Sequence, residues 1–360
     1  MKNYRPTWAE INLDALYHNL QIAQKHAPHK TIIPVIKANG YGHGAVKIMK
    51  FLIEKGVDYF SVSTLEEALE LRKINCNVHL LMMGPIQKND LEVASKHDIE
   101  ITLYDEEIIQ HVLSSKLSLT CHLKIDTGMH RYGLMDEKFI IQAIEKLQNK
   151  TNIDLKGIYT HFATADSDEE FYNTQVDRFY KLLIKLKVKP PVIHMSNSSS
   201  TLNHEKDFDF TTYVRYGISL YGLTLESKKH NLKPVMKLKT RIVTVKSLKK
   251  DECVGYSQTY CAKEDEIIGV LPIGYADGFL RRNKHGDTEI QKRRYPLVGN
   301  ICMDACFVKI DDSIKVGDIV TLFGGLITTD EVAKRNKTIN YEIVTSISYR
   351  VPKKYVRRSS

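Results

Sequence analysis

The chain has 360 residues, 42% hydrophobic and 26% charged, a globular balance at a length that calls for two domains or one large barrel with an appendage. No uncharged apolar stretch approaches membrane-spanning length, and the opening Met1-Lys2-Asn3-Tyr4-Arg5-Pro6 lacks the apolar core of a secretion signal, so no membrane association and a cytoplasmic location are expected. The net charge of +9 lies in short Lys/Arg pairs and the tail Lys353-Lys354-Tyr355-Val356-Arg357-Arg358, with no sustained basic stripe, which argues against a nucleic-acid face.

Apolar residues Leu13, Leu16, Tyr17, Leu20 and Ala23 share one face of a first helix. Eight β-rich runs follow, at residues 31–36, 58–63, 78–83, 99–103, 117–125, 153–161, 191–195 and 213–220. Between them come amphipathic segments with start signals: Ser63-Thr64-Leu65-Glu66 as a capping box, Asp105 as an N-cap, and Ser167-Asp168-Glu169-Glu170 ahead of a helix through Leu186. Eight strands alternating with helices predict a (β/α)8 TIM barrel, with a doubly wound sheet as the open alternative. Past about residue 230 the texture changes to short alternating runs at 241–245, 267–272, 295–298, 305–310 and 318–323, punctuated by glycines, with one helical segment at 329–336. This predicts a mainly β C-terminal domain and a division into residues 1–232 and 233–360, with the first strand, 7–13, free to join either.

The six cysteines, Cys76, Cys121, Cys253, Cys261, Cys302 and Cys306, form no Cys-x-x-Cys pair, and no His pair sits at zinc spacing. Six free thiols in a reducing compartment and no metal site are expected.

Lys37 ends the apolar run Thr31-Ile32-Ile33-Pro34-Val35-Ile36 and precedes Ala38-Asn39-Gly40-Tyr41-Gly42-His43-Gly44. An ammonium at the end of a buried strand is costly without a purpose, and the glycines permit a sharp turn and close approach to a ligand. That is where an imine-forming amine would stand, though a lysine snorkelling from a barrel rim fits too. Gly40-x-Gly42-x-x-Ala45 formally matches a dinucleotide fingerprint, but the next strand ends Ser61-Val62-Ser63 without the acid that would hold a ribose. His194-Met195-Ser196-Asn197-Ser198-Ser199-Ser200 ends a strand in hydroxyls and a helix start, suited to a phosphate or to plain capping. Arg215 lies within an inner strand and needs an acceptor; Lys124, Asp126 and Arg131 meet at another strand end, as a carboxylate anchor or a rim ion pair. In the β region stand Gly255-Tyr256, Gly274-Tyr275-Ala276-Asp277-Gly278 and Cys302-Met303-Asp304. An amine, a phosphate cradle, an arginine and a carboxylate anchor at barrel strand ends together suit pyridoxal 5′-phosphate (PLP).

With these motifs in order, and with Trp8-Ala9-Glu10-Ile11-Asn12-Leu13, Thr160-His161-Phe162-Ala163-Thr164-Ala165-Asp166, Val214-Arg215-Tyr216-Gly217-Ile218 and Ile347-Ser348-Tyr349-Arg350-Val351-Pro352, the chain resembles the alanine racemases, PLP enzymes of fold type III, over nearly its whole length. The resemblance implies interconversion of L-alanine and D-alanine for D-alanine biosynthesis and peptidoglycan precursor supply, by a homodimer with shared sites. It implies that Lys37 binds PLP covalently and is one proton-transfer base. It implies that Tyr256, from the partner subunit, is the other. Tyr41, Asn197, Ser198, Gly217, Ile218 and Tyr349 are implied around the cofactor phosphate, Arg215 at the pyridine nitrogen, and His161 beside the ring. Arg131 and the partner's Met303 are implied at the substrate carboxylate, Lys124 as a carbamylated lysine, and Asp166 and Tyr275 in the entrance.

Arginine at the pyridine nitrogen cannot give up a proton, so the ring becomes a weaker electron sink. Related type III decarboxylases place an acid there, and Arg215 argues against them. A racemase for serine or lysine, or a PLP-binding paralogue without catalysis, are the alternatives. Two departures from the family pattern stand out: His130 where glycine is usual before the arginine, and Asn300 with Ala305 where arginine and glutamine are common. The first bears on substrate affinity; the second is expected to alter the charge of the entrance.

Overall fold

The computed structural model describes residues 4–75, 77–204, 209–226 and 230–357. Strand β1 (Trp8–Asn12) leads into α1 (Leu13–His26), whose N-cap Asn12 accepts from the Asp14 and Ala15 N–H groups at 3.0 and 3.1 Å. The expected stripe of Leu13, Leu16, Leu20 and Ala23 is buried, each large side chain contributing roughly 1.5–3 kcal/mol.

Eight parallel strands follow: β2 (Thr31–Pro34), β3 (Tyr59–Val62), β4 (His79–Met82), β5 (Glu100–Leu103), β6 (Leu119–Lys124), β7 (Ile153–Tyr159), β8 (Val192–His194) and β9 (Tyr213–Tyr216). Their order around the sheet is β2-β9-β8-β7-β6-β5-β4-β3. A parallel bridge between Val35 and Ser61 joins the two ends. That closure makes a barrel and removes the doubly wound alternative.

A left-handed turn, α2 (Lys37–Tyr41), follows β2 at the barrel mouth, and helices come after it: α3 (Ala45–Ile53), α4 (Leu65–Arg72), α5 (Leu91–Lys96), α6 (Glu106–Ser114), α7 (Glu137–Gln148), α8 (Glu169–Leu183) and α9 (Ser198–Asn203). Asp105 and Asp168 cap α6 and α8 as their sequences suggest, and α8 ends at Leu183, short of Leu186. The capping box of α4 lies one residue later than expected, between Thr64 and Glu67. Their side chains satisfy the helix-start N–H groups reciprocally.

The second unit is a nine-stranded sheet ordered β11-β14-β17-β16-β15-β18-β10-β1-β19. Its strands are β10 (Met236–Arg241), β11 (Thr244–Leu248), β14 (Glu266–Leu271), β15 (Asp287–Ile290), β16 (Arg293–Val298), β17 (Cys306–Ile310), β18 (Ile319–Phe323) and β19 (Lys353–Val356), with β1 inserted between β10 and β19. The N-terminal strand therefore joins the β domain. Helices α10 (Thr329–Asn336) and α11 (Asn340–Thr345) precede β19. The run expected at 241–245 is broken, because β10 ends at Arg241 and β11 begins at Thr244.

A short hairpin, β12 (Cys253–Val254) with β13 (Tyr260–Cys261), is bridged by a disulfide between Cys253 and Cys261. This corrects the expectation of six free thiols. Cross-strand register puts the two cysteines directly opposite, with Cα atoms 4.0 Å apart, a proximity that a spacing of eight residues does not announce. Cys121, Cys302 and Cys306 are free, and Cys76 lies outside the described residues. No described helix is long and apolar enough to cross a membrane.

Candidate active site

Just past β2 the wall is pinned on both sides. Val35 N–H donates to Tyr216 O and Ile36 N–H to Ser61 O, each at 2.9 Å. Lys37 thus leaves the barrel from a fixed point at the carboxyl end of its strand. The backbone then turns left-handed through Ala38, Asn39 and Gly40, with φ of 50°, 52° and 62°, and Tyr41, with φ of 49°. For a non-glycine residue this costs about 1–2 kcal/mol.

Side chains hold the turn in place. Ala38 N–H donates to Glu67 Oε1 at 2.6 Å, and Asn39 Oδ1 accepts from Ala45 N–H at 2.9 Å at the start of α3. Strain held this way is found where chain position matters. The glycines serve the protein's own packing. A Cβ on Gly42 would lie 2.2 Å from Val344 O of α11. The close approach expected toward a ligand is at that position an approach to the C-terminal helix.

Lys37 opens into a cavity of about 490 Å³ at the barrel mouth, within the usual range for small-ligand sites. Among the residues expected at the site, its wall includes Lys37, Tyr41, Lys124, Arg131, His161, Asp166, Asn197, Ser198, Arg215, Gly217 and Ile218. Four cationic side chains face one space. Burial, then Arg131, lowers the Lys37 pKa from its usual value, Glu67 opposing. Lys124 is lowered to about 8 by burial, Arg131 and Arg215. Burial and Arg215 hold His161 neutral, well below the ordinary histidine range. Such a site favours anions and makes both amines easier to deprotonate than a free lysine.

Two features shape its inner end. Ser198 Oγ accepts from Gly217 N–H at 3.0 Å and Ser219 N–H at 3.3 Å. A Cβ on Gly217 would sit 2.9 Å from Tyr41 Oη and 3.8 Å from Ser198 Oγ. The missing side chain leaves a hydroxyl-lined cradle. Asn197 caps α9, its Oδ1 accepting from Ser200 N–H at 3.1 Å.

Arg215 is buried and paired to neutral acceptors. Nη1 donates to His194 Nδ1 at 2.8 Å; Nη2 donates to Thr160 O at 2.8 Å, Met195 O at 3.0 Å and His161 Nδ1 at 3.3 Å. Wall residues that escaped the sequence reading include Tyr159, whose ring lies beneath Lys124 Nζ (5.6 Å) and Arg215 Cζ (5.2 Å), Tyr341, Met83, Gly84 and Pro85. Glu67 escaped too, although its capping box was a readable signal.

Four expected residues do not reach this cavity within one chain. Tyr256, Met303, Tyr349 and Tyr275 are 72%, 52%, 93% and 41% exposed on the β domain. The segments carrying Tyr275, Met303 and Tyr349 are tied together. Tyr275 N–H donates to Cys302 O and Ala276 N–H to Met303 O, each at 3.1 Å, and Arg350 binds Asp304 at 2.6 Å.

The family model of the alanine racemase N-terminal domain matches residues 11–225, and that of its C-terminal domain matches residues 235–355. The chain belongs to the alanine racemase family. It is 38% identical to an alanine racemase of Anoxybacillus flavithermus over 99% of this chain and 96% of that protein. The alanine racemase of E. faecalis superposes with a TM-score of 0.93 at 34% identity, over 98% of this chain and 99% of that one. A histidine racemase from Leuconostoc mesenteroides superposes with a TM-score of 0.92 at 25% identity, over 99% of both chains.

Both departures from the alanine racemase pattern have a structural reading. His130 stands in the left-handed region, φ 51°, its N–H donating to Asp126 Oδ1 at 3.1 Å. Glycine adopts that conformation without a Cβ penalty. Asn300 is buried, and its Nδ2 donates to Tyr256 O at 2.9 Å. It anchors the Tyr256 backbone.

Proposed function

We propose that the protein interconverts L-alanine and D-alanine, using PLP held in the Lys37 cavity. The observation that carries this is Lys37 at a pinned strand end, sharing one anion-favouring cavity with Arg215 and the Gly217 cradle. The residues fit the cofactor. Gly217, Ile218, Ser198, Asn197 and Tyr41 are assigned to its phosphate, where a Cβ at residue 217 would crowd the space. Arg215, a permanent donor, is assigned to the ring nitrogen and His161 to the ring face. Bound PLP supplies the electron sink that makes a carbon acid of the amino acid.

The chain's own groups then move the proton. Lys37 Nζ is the attachment point and the base on one face, its lowered pKa favouring the neutral amine. The partner subunit's Tyr256 Oη is the base on the other. Arg131 holds the substrate carboxylate with the partner subunit's Met303. Among the described residues Arg131 has no hydrogen-bond or ion-pair partner, so an anion at Lys124 would orient it. Lys124 is assigned as the lysine that takes up carbon dioxide, which requires the neutral amine that a pKa of about 8 provides.

A homodimer follows from this assignment, since Tyr256 and Met303 are exposed on the β domain and do not line the cavity of their own chain. We assign residues 1–232 to cofactor binding, 233–360 to completing the partner's site, Asp166 and Tyr275 to the entrance, and the enzyme to cytoplasmic D-alanine supply.

The test is turnover of both alanine enantiomers by purified protein, with Lys37→Ala abolishing turnover and PLP attachment. Serine, lysine and histidine belong on the same panel. PLP binding without any racemisation would support the non-catalytic alternative.

A further inference from the structure

Below the active site a line of polar side chains runs down the barrel axis. It begins at Arg215 in β9 and ends at Glu100, the first residue of β5, at the opposite end of the barrel. Arg215 Nη1 lies 2.8 Å from His194 Nδ1. His194 Nε2 lies 3.0 Å from His122 Nδ1, and His122 Nε2 lies 3.0 Å from Glu100 Oε2. His122, His194, Arg215 and Glu100 are all buried.

The direction of every bond is fixed by its ends. Arginine only donates, so His194 Nδ1 must accept. A neutral His194 then carries its proton on Nε2 and donates to His122 Nδ1. His122 in turn carries its proton on Nε2 and donates to Glu100, an ionised carboxylate that only accepts. The reverse order would set two donors against each other at Arg215. Burial keeps both rings neutral, well below the ordinary range for His194 and lowered for His122 despite Glu100.

Glu100 has three further partners. Tyr59 Oη donates to Oε2 and lies 2.9 Å from His122 Nε2, so with its own proton on Glu100 it can only accept there and shares the His122 Nε2 proton with the carboxylate; His79 Nδ1 lies 2.8 Å from Oε1, and Lys156 Nζ donates to Oε1 at 2.6 Å. Burial would raise the Glu100 pKa, but His122, His79 and Lys156 hold it below the usual carboxylate range. Among the described residues Arg215 touches no carboxylate. Glu100 is the first anion met along its hydrogen-bond chain, and two polarisable rings carry its influence.

We propose that Glu100 is a positioning residue for Arg215, acting through His122 and His194. It terminates the chain as a pure acceptor, fixes both tautomers, and strengthens His194 Nδ1 as the acceptor that holds the guanidinium. The plain alternative is a floor of ion pairs that only stabilises the barrel.

The kinetic consequence rests on the racemase reading; the proton positions do not. Neutron diffraction from deuterated crystals of the wild-type holoenzyme should place deuterium on Nε2 of both His122 and His194 and none on Glu100. Deuterium on Nδ1 of either ring overturns the proposal, whether or not the protein racemises anything.

Glu100→Gln should lower kcat about tenfold with KM within about twofold, and shift the visible absorption band of bound PLP. Lys156→Met leaves Glu100 its Tyr59, His79 and His122 partners and should change neither. Equal losses in both variants, or a Glu100→Gln enzyme within about twofold of wild type in kcat, would establish the floor as structural only. Should Glu100→Gln fail to fold, deuterium on Nδ1 of either ring still overturns the proposal.

Discussion

Gly217→Ala is the substitution whose effect the geometry defines most closely. The backbone at residue 217 has φ −101°, so alanine meets no left-handed penalty there. The obstacle is the new methyl, 2.9 Å from Tyr41 Oη. Tyr41 cannot swing away. It is buried between the Tyr221 and Tyr341 rings, with centroids 5.0 and 6.2 Å from its own. Overpacking of this kind costs about 1–3 kcal/mol. Expressed in binding, that is roughly 5–150-fold weaker affinity for PLP.

Removing the obstructing atom should return part of the loss. Tyr41→Phe alone weakens PLP by deleting a phenol from the cradle. Gly217→Ala with Tyr41→Phe should lose less than the sum of the two, with a coupling of about 0.5–3 kcal/mol. The assay is absorbance titration of the apoprotein with PLP for the four members of the cycle. Strictly additive losses, or PLP binding by Gly217→Ala within about twofold of wild type, would refute the assignment of this cradle.

Three further outcomes are expected. The Lys124 pKa falls from 10.5 to about 8 on folding, so the unfolded state binds more protons between those values and stability rises with pH across that window. Lys124→Met should therefore stabilise the protein in carbon-dioxide-free buffer at pH 7, by up to about 3 kcal/mol in urea unfolding, the gain vanishing as pH rises through the window; a gain that grows with pH would contradict the cause given. His130→Gly relieves a left-handed residue worth about 1–2 kcal/mol against roughly 0.5–1 kcal/mol of added chain entropy, so a net gain of about 0.5–1 kcal/mol is expected, and a loss would count against strain there. Lys37→Ala and Tyr256→Phe subunits, each inactive alone, should on random exchange recover about a quarter of wild-type sites, since half the dimers are hybrids with one intact site each; no recovery after verified exchange would exclude shared sites.

Much of the barrel was legible because each strand is a short apolar run ended by turn residues, and each run from residues 31–36 to 213–220 contains a strand. Closure was not, since it depends on a single bridge between Val35 and Ser61. The left-handed turn after Lys37 was hidden because Ala38, Asn39 and Tyr41 carry no glycine signature. Of the site, Lys37, Lys124, Arg131, Arg215 and the Asn197-Ser198 turn were readable from their chemistry, while Tyr41, His161 and Asp166 came only from the family resemblance; eleven expected positions line one cavity. Glu67 was missed by one position in the capping box. Glu100 looked like an ordinary residue opening a strand; only the fold shows that its side chain enters the barrel. The Cys253–Cys261 bridge depends on hairpin register, which spacing alone does not convey.

Everything proposed for the site requires one amine, Lys37 Nζ, to tether the cofactor. Borohydride reduction of the holoenzyme followed by peptide mapping tests it most directly. A pyridoxyl label is expected on Lys37 and on no other residue. A label on Lys124 or any other side chain, or no label at all in protein shown to contain PLP, would contradict it.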